Sequence, residues 1–397
     1  MKKKTLFLAA VVDRRLQAQV EVWRGLCEEA QACDWPWPIE EVHVHHRQLD
    51  TKACMGLLSW IGSVIPEQPS VPVINLSNAK GPLPDCGNLL NADESIGCLA
   101  AEHLLHNGYR EYLALSAQDT VYAKQRIAGF SREIRRRNLP VRTVSLPKSR
   151  DGAGNDGWNP QNFLDETAEL LAPFLKHLPP DAGIFAVDHP AAQHVEHCLF
   201  RHFPERTHTT GLIAGDLPVK YRWLPGERRS ISCVQTANAA KGRAAMRWFH
   251  QYGRDLEAVR DLCERFEPTG ILIRASTAGP ACGHPVLAKG LRWSWSEIQR
   301  GRPPNVGELA ARLGMSARSL NRLFRDELQQ SARDFLLTLR MERAAQVLRT
   351  FPERPIQHIS DEAGFSNQGT FASAFRAWSG LKPSEYREDS TDRPPGA

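Results

Sequence analysis

Nineteen residues near the C-terminus, VGELAARLGMSARSLNRLF from Val306 to Phe324, constrain this chain more tightly than any other stretch. Val306, Leu309, Ala310 and Leu313 fall on one side of a short helix, and the small Ala310 lets a second helix approach closely. Gly314 follows where the backbone can turn with positive φ, and Ser316 stands where a side-chain oxygen can cap a new helix. Leu320, Leu323 and Phe324 then face inward, which leaves Arg318, Ser319, Asn321 and Arg322 pointing outward. The pattern predicts a helix-turn-helix whose second helix suits a DNA major groove.

A second unit begins fifty residues later. Ile356, Ile359 and Ala363 lead to Gly364, Phe365 packs the turn, Ser366 or Asn367 caps the next helix, and Phe371 and Phe375 face inward. Its turn reads one residue longer, because the first inward residue falls seven after glycine rather than six. Between the units, Leu337, Met341, Ala344, Ala345 and Leu348 predict a connecting helix over 332–349, roughly 27 Å long at about 1.5 Å per residue. Such a rod spaces two recognition helices about one DNA turn apart, on the order of 34 Å. Charge agrees with that reading. The chain carries +5 overall, and residues 286–388 alone hold 16 Lys/Arg against 11 Asp/Glu, with 14 of the 16 cations arginine, the side chain whose planar fork suits phosphate and guanine. A solvated basic face or a helical bundle for protein contacts would explain any one of these features; two units, a spacer and an arginine excess together favour duplex DNA.

Residues 5–275 alternate short apolar runs with amphipathic stretches, the pattern of an α/β domain with a parallel sheet. The predicted strands are Thr5–Val12, Ile39–His45, Val71–Leu76, Tyr112–Ser116, Val141–Leu146, Gly183–Val187 and Gly211–Ala214. The predicted helices are Gln17–Ala32, Glu94–Asn107, Ala123–Arg137, Asn162–His177, Ala191–Phe203 and Ala239–Tyr252. Lys148–Pro160 is rich in turn formers and reads as an exposed loop, 276–289 as a linker, 290–388 as an all-α domain, and 389–397 as a disordered tail.

Residues 290–388 resemble the DNA-binding domain of AraC/XylS-family regulators. The stretch IQHISDEAGFSNQGTFASAFRAWSGLKPSEYR from Ile356 has that family's AGF turn, its F-x-x-x-F recognition helix and its closing G-x-x-P-x-x-Y-R. The resemblance implies base reading by Arg318, Asn321 and Arg322 in the first unit and by Asn367, Gln368, Thr370 and Ser373 in the second, with Arg376 and Arg387 meeting phosphate or bracing the fold. Gly369 and Ser373 are shorter than the polar residues common in relatives, so the first helix is expected to dominate sequence discrimination.

Residues 5–275 resemble the two-lobed periplasmic-binding-protein-like effector domain of LacI/GalR regulators, on NADESIGCLAAEHLLHNGYREYLALS from Asn91, YAKQRIAGF around Arg126, GIFAVDHPAA from Gly183 and GILIRAST from Gly270. The pairing of such a domain with an AraC-type tail resembles the xylose regulators. That likeness implies a cleft closing on a monosaccharide or polyol, with Asp13, Arg126, Asp188, His189 and Asp216 as ligand contacts, a homodimer, and contact with RNA polymerase as a further role. The chain departs from the family pattern at Asp188-His189-Pro190, where Asn-Asp or Thr-Asp is usual, and at Leu217, where asparagine is common after the aspartate.

Lys2–Lys4 followed by an apolar run superficially resembles a secretory start, but the run ends at Asp13-Arg14-Arg15 without a small-x-small cleavage site, so a buried first strand is expected. Nine scattered cysteines with no C-x-x-C pair suggest reduced thiols and a cytoplasmic location, and no apolar run is long enough for a bilayer. Two His clusters, His43/His45/His46 and His194/His197 with Cys198, lack a matching second pair, so no metal and no cofactor is expected. No phosphate loop, nucleophile elbow or zinc-protease motif is present, which argues against an enzyme. Trp293 and Trp295 read as docking residues at the domain junction. The competing reading is a sugar receptor whose helical tail docks a protein partner.

Overall fold

The computed structural model describes residues 6–11, 17–42, 53–60, 70–146, 160–216, 231–274, 276–282 and 284–388. Asp13, the His43/His45/His46 cluster, most of the loop at 148–160 and the tail at 389–397 lie outside them.

Apolar runs too short for helices become strands, and the inner strands of each sheet are buried on both faces. The first lobe takes β1 (Phe7–Val11), β2 (Ile39–Glu41), β3 (Cys54–Ser59), β4 (Val73–Asn75) and β5 (Gly87–Asn91), with α1 (Gln17–Ala32) against it. The chain then crosses into the second lobe through α2 (Asp93–His106), β6 (Tyr112–Ser116), α3 (Val121–Arg136), β7 (Val141–Ser145), α4 (Pro160–Lys176), β8 (Gly183–Ala186), α5 (His189–His202), β9 (Gly211–Ala214) and β10 (Ser232–Gln235). It returns for α6 (Asn238–Tyr252), which packs on α1, and for β11 (Cys263–Phe266), and crosses once more to β12 (Gly270–Leu272). The first sheet has the order β11-β5-β4-β3-β1-β2 with every pairing parallel. The second runs β12-β10-β9-β8-β6-β7, parallel except for β12 against β10. Three crossovers between two such sheets bring the C-terminal strand ends of both lobes to one crevice, the place where α/β sheets bind ligands.

The remainder is helical: α7 (Pro285–Gln299), α8 (Val306–Arg312), α9 (Ala317–Leu328), α10 (Ala332–Thr350), α11 (Ile356–Glu362), α12 (Gln368–Ser379) and α13 (Pro383–Glu388). Two apolar cores stabilise it. One joins Leu287, Leu291, Trp295 and Ile298 of α7 to Leu309, Leu320, Phe324 and Phe335; the other gathers Met341, Leu348, Ile359, Phe371, Phe375 and Tyr386. Trp293 is partly buried against the first of these. The long α10 contributes to both, so it is the beam between the two units.

The segment ahead of α7 lies along the second lobe. The Ser276 hydroxyl accepts from the Ser232 amide at 2.7 Å, the Thr277 hydroxyl donates to that of Ser232 at 2.7 Å, and the Asn107 side chain donates to the Thr277 carbonyl at 3.2 Å. α7 itself begins at Pro285, capped by the His284 ring. Among the described residues, no helix is long and apolar enough to cross a membrane.

Candidate nucleic-acid interface and effector cleft

Each helix-turn-helix is set by its caps and its glycine. Asn305 and Glu308 form a reciprocal capping box on α8, and Ser316 caps α9 by accepting from the Ser319 amide at 3.1 Å. Gly314 has φ +66° and Gly364 φ +73°. In the second unit the cap is Asn367, accepting from the Thr370 amide at 2.8 Å, three residues after its glycine where Ser316 stands two after Gly314. The longer second turn is thus located in the cap.

Inward faces hold Leu320 and Phe324 in one unit and Phe371 and Phe375 in the other, all fully buried. Outward, Arg318, Ser319 and Arg322 on α9 and Asn367, Gln368, Thr370, Ser373 and Arg376 on or beside α12 are exposed. Asn321 differs: half-buried, its amide donates to the Ala317 carbonyl at 3.1 Å and accepts from the Ala332 amide at 3.2 Å, fastening α9 to the start of α10. Arg387 donates to the Arg354 carbonyl at 2.7 Å and braces the fold. Arg340, on the beam, clamps the second turn by donating to the carbonyls of Ala363 and Gly364 while its guanidinium lies 4.3 Å from the Phe365 ring centroid.

The two turn glycines make a direct comparison. A Cβ at Gly314 would meet nothing within 4 Å, whereas one at Gly364 would stand 2.5 Å from Pro303. Gly314→Ala is expected to cost about 1–2 kcal/mol from the left-handed backbone alone, and Gly364→Ala more, by chemical denaturation; equal losses would show that the Pro303 contact relaxes freely.

Arg126 stands at the centre of a buried polar cluster where α2 and α3 meet the C-terminal strand ends of the second lobe. Gly97 and Gly129 let α2 and α3 touch, since a Cβ at either would come within 2.1 Å of the other helix's backbone. That approach brings the Arg126 Nε to 2.8 Å from Asp93 Oδ1. Its Nη1 donates to the Val187 carbonyl at 2.6 Å and to Asp216 Oδ2 at 3.3 Å. The arginine and Asp93 side chains are 4% and 0% exposed, but Asp216 retains 25%. Asp216 also accepts from the His189 amide at 3.2 Å. Asp188 caps α5, accepting from the Ala191 amide at 2.9 Å, and takes the Tyr122 hydroxyl at 3.0 Å. Burial, with Asp216 beside it, holds the Asp188 carboxyl above its ordinary range. Of the expected ligand residues, Arg126, Asp188, His189 and Asp216 therefore meet at one place.

Facing them from the first lobe is Lys241, which is completely buried near the start of α6. Its Nζ donates to the Leu76 carbonyl at 3.3 Å and lies 4.4 Å from the Trp60 ring centroid. Burial lowers its pKa to about 7, opposed by Asp93 and reinforced by Arg126. The other histidine cluster lies away from this crevice: His197 pairs with Asp165 at 2.7 Å and the Cys198 thiol donates to the Ala168 carbonyl. Among the described residues no group of three or more His, Cys, Asp or Glu is placed to hold a metal ion.

A family profile described as a helix-turn-helix domain matches residues 309–389. Over 94 residues the chain is 35% identical to the regulatory protein SoxS of Escherichia coli, covering 24% of this chain and 87% of SoxS. This chain belongs to the AraC-type helix-turn-helix regulators. The regulator is also 24% identical over 236 residues to the xylose operon regulatory protein of Escherichia coli, 59% of this chain and 58% of that one, and 32% identical over 91 residues to the Msm operon regulatory protein of Streptococcus mutans, of which it spans about a third. Its fold is that of a solved structure described as the xylose-binding transcription activator xylR, with a TM-score of 0.62 at 18% identity, covering 99% of this chain and 100% of the other. The two-lobed periplasmic-binding-protein-like domain and the AraC-type helical domain are thus both present in the regulator.

Sequence reasoning missed Asp93, Tyr122, Trp60 and Lys241 as parts of this buried polar cluster. Asp93 had a signal, standing in the first turn of a helix that opens NADESIG. Lys241 had none, because a lysine near a helix start reads as a solvated side chain.

Proposed function

We propose that this regulator binds duplex DNA with both recognition helices and that a small polyhydroxyl ligand, a monosaccharide or polyol, held between the lobes controls how it does so. The observation that carries the reading is Arg126, a buried guanidinium tied to Asp93 and Asp216 where strands and helices of the second lobe converge, facing Lys241 and Trp60 of the first. Planar donors and carboxylates so placed grip paired hydroxyls. A relative whose name includes xylose binding supports the ligand class.

The regulator works as a homodimer in the cytoplasm on paired half-sites and contacts RNA polymerase when it activates. Selection of sites from random duplex DNA, with and without pentoses, hexoses and polyols, tests the reading. A defined motif whose affinity changes with one sugar supports both halves; a motif indifferent to all of them removes the sugar control, and no motif removes the DNA reading.

Within the first recognition helix, Arg322→Ala is expected to relax discrimination at one base position by about 1–3 kcal/mol while leaving binding to random DNA nearly unchanged. Parallel titrations on selected and scrambled duplexes measure this; equal loss on both would reassign Arg322 to phosphate.

A further inference from the structure

The second lobe has two ends. At the C-terminal end of β9 stands Asp216, bonded to Arg126 and to the His189 amide in the cleft. At the N-terminal end stands Thr210, whose carbonyl accepts from Arg292 Nη2 at 3.5 Å; Arg292 Nε donates to the nearby carbonyl of His208. Thr210 and Asp216 are six positions apart, about 20 Å of extended chain at about 3.3 Å per residue. β9 is buried throughout and paired on both sides, by β8 and β10, so its two ends are rigidly connected and a shift at one is not absorbed along the strand.

Arg292 belongs to α7, and its position there is unusual. The residue is 8% exposed, and burial lowers its pKa even though the Tyr109 hydroxyl helps to hold the charge. Tyr109 is fixed in turn, because Gly211 at the head of β9 leaves room for its ring; a Cβ there would fall 2.4 Å from it. Burying a guanidinium is costly, and an apolar residue would fasten the helix more cheaply. What the guanidinium supplies is direction: its fork reads the carbonyls at the head of one strand. The neighbouring Leu291 and Trp295 are buried in the core of the first helix-turn-helix. One helix thus touches the floor of the effector lobe with Arg292 and the DNA-binding core with its apolar face.

We propose that Arg292 is the positioning residue through which the state of the cleft reaches the DNA-binding domain, with β9 as the rod between Asp216 and α7. The inference rests on the reading that the cleft controls DNA binding, but its test needs no ligand. Amide hydrogen exchange of the full chain is followed over 285–299 in the parent, Asp216→Asn, Arg292→Lys and the double variant. Lysine keeps the charge and removes the fork. Asp216→Asn is expected to speed exchange in α7 at least fivefold in the parent background and less than twofold in the Arg292→Lys background, while affinity of Arg292→Lys for a selected duplex stays within about threefold of the parent. Distant independent sites behave additively; an equal Asp216→Asn effect in both backgrounds, or none in either, overturns the proposal. Arg292→Gln serves as the second variant, and the same loss of coupling is expected there. If sugars shift thermal stability while the exchange cycle is additive, the effector reading stands and only the β9 route falls; if the cycle couples and no sugar acts, the reverse holds.

Discussion

Arg126→Met is expected to destabilise the two-lobed domain by about 3–5 kcal/mol, the cost of removing one member of a buried ion pair. The methionine fills much of the stem's space, so the loss is electrostatic. Asp93 would remain fully buried with the Asn78 amide still donating to it, the Val187 carbonyl would lose its 2.6 Å donor, and Asp216 would lose the charge that offsets its closeness to Asp188. Two further results separate this account from simple loss of packing. Asp93→Asn placed in the Arg126→Met background should recover a substantial part of the loss, because the stranded charge goes with it. The gap between parent and Arg126→Met should also narrow as pH falls from about 8 to 5. A buried, unpaired carboxylate has a raised folded-state pKa, so the folded variant binds the proton more readily than the unfolded chain and gains stability on acidification. Denaturant titrations at both pH values measure this; a gap that is constant with pH, with no recovery in the double variant, would make Arg126 a packing residue.

That centre was only partly legible in the sequence, and the reason is physical. Local periodicity reaches an element when its own residues carry the pattern. Tyr112–Ser116, Gly211–Ala214 and Gln17–Ala32 match their observed bounds, and the remaining predicted helices of both lobes fall within two residues of theirs. β3 and β5 were missed because they are buried on both faces and contain or begin with glycine, so no alternation marks them. β10, β11 and β12 were missed because they are only three or four residues long, and β11 also owes its existence to a distant partner, pairing with β5 across more than 170 positions. The same division runs through the site. Caps and turn glycines of the helix-turn-helix units are local, and Ser316, Gly314 and Gly364 stand as their neighbours dictate. Arg126 came from a resemblance, while its partner Asp93 depends on a tight crossing of two helices that no single stretch of sequence encodes.

Lys241→Met is expected to raise stability near neutral pH, by a few kcal/mol, the reverse of most substitutions at a fully buried position. Lysine and methionine have stems of similar length, so the core around Trp60 and Leu76 keeps its filling, and the change removes an ammonium that burial opposes. The sign follows from the shift. With the folded pKa lowered from 10.5 to about 7, the unfolded chain holds a proton that the folded chain sheds anywhere between those values, so the parent becomes more stable as pH rises across that window. The advantage of the methionine variant should therefore be largest at and below about pH 7 and vanish near pH 10.5. Other groups that titrate in the same range are shared by both proteins and cancel in the difference. A gap that does not change with pH, or a methionine variant less stable than the parent at pH 7, would mean that the ammonium is satisfied where it stands. Where stability is sacrificed at a buried charge beside a cleft, function commonly retains it, and here the field of Lys241 reaches Asp93 and Arg126 across the two lobes. The stabilised variant is accordingly expected to lose effector response while keeping its affinity for DNA, since the helix that carries Arg318 and Arg322 packs into a separate core.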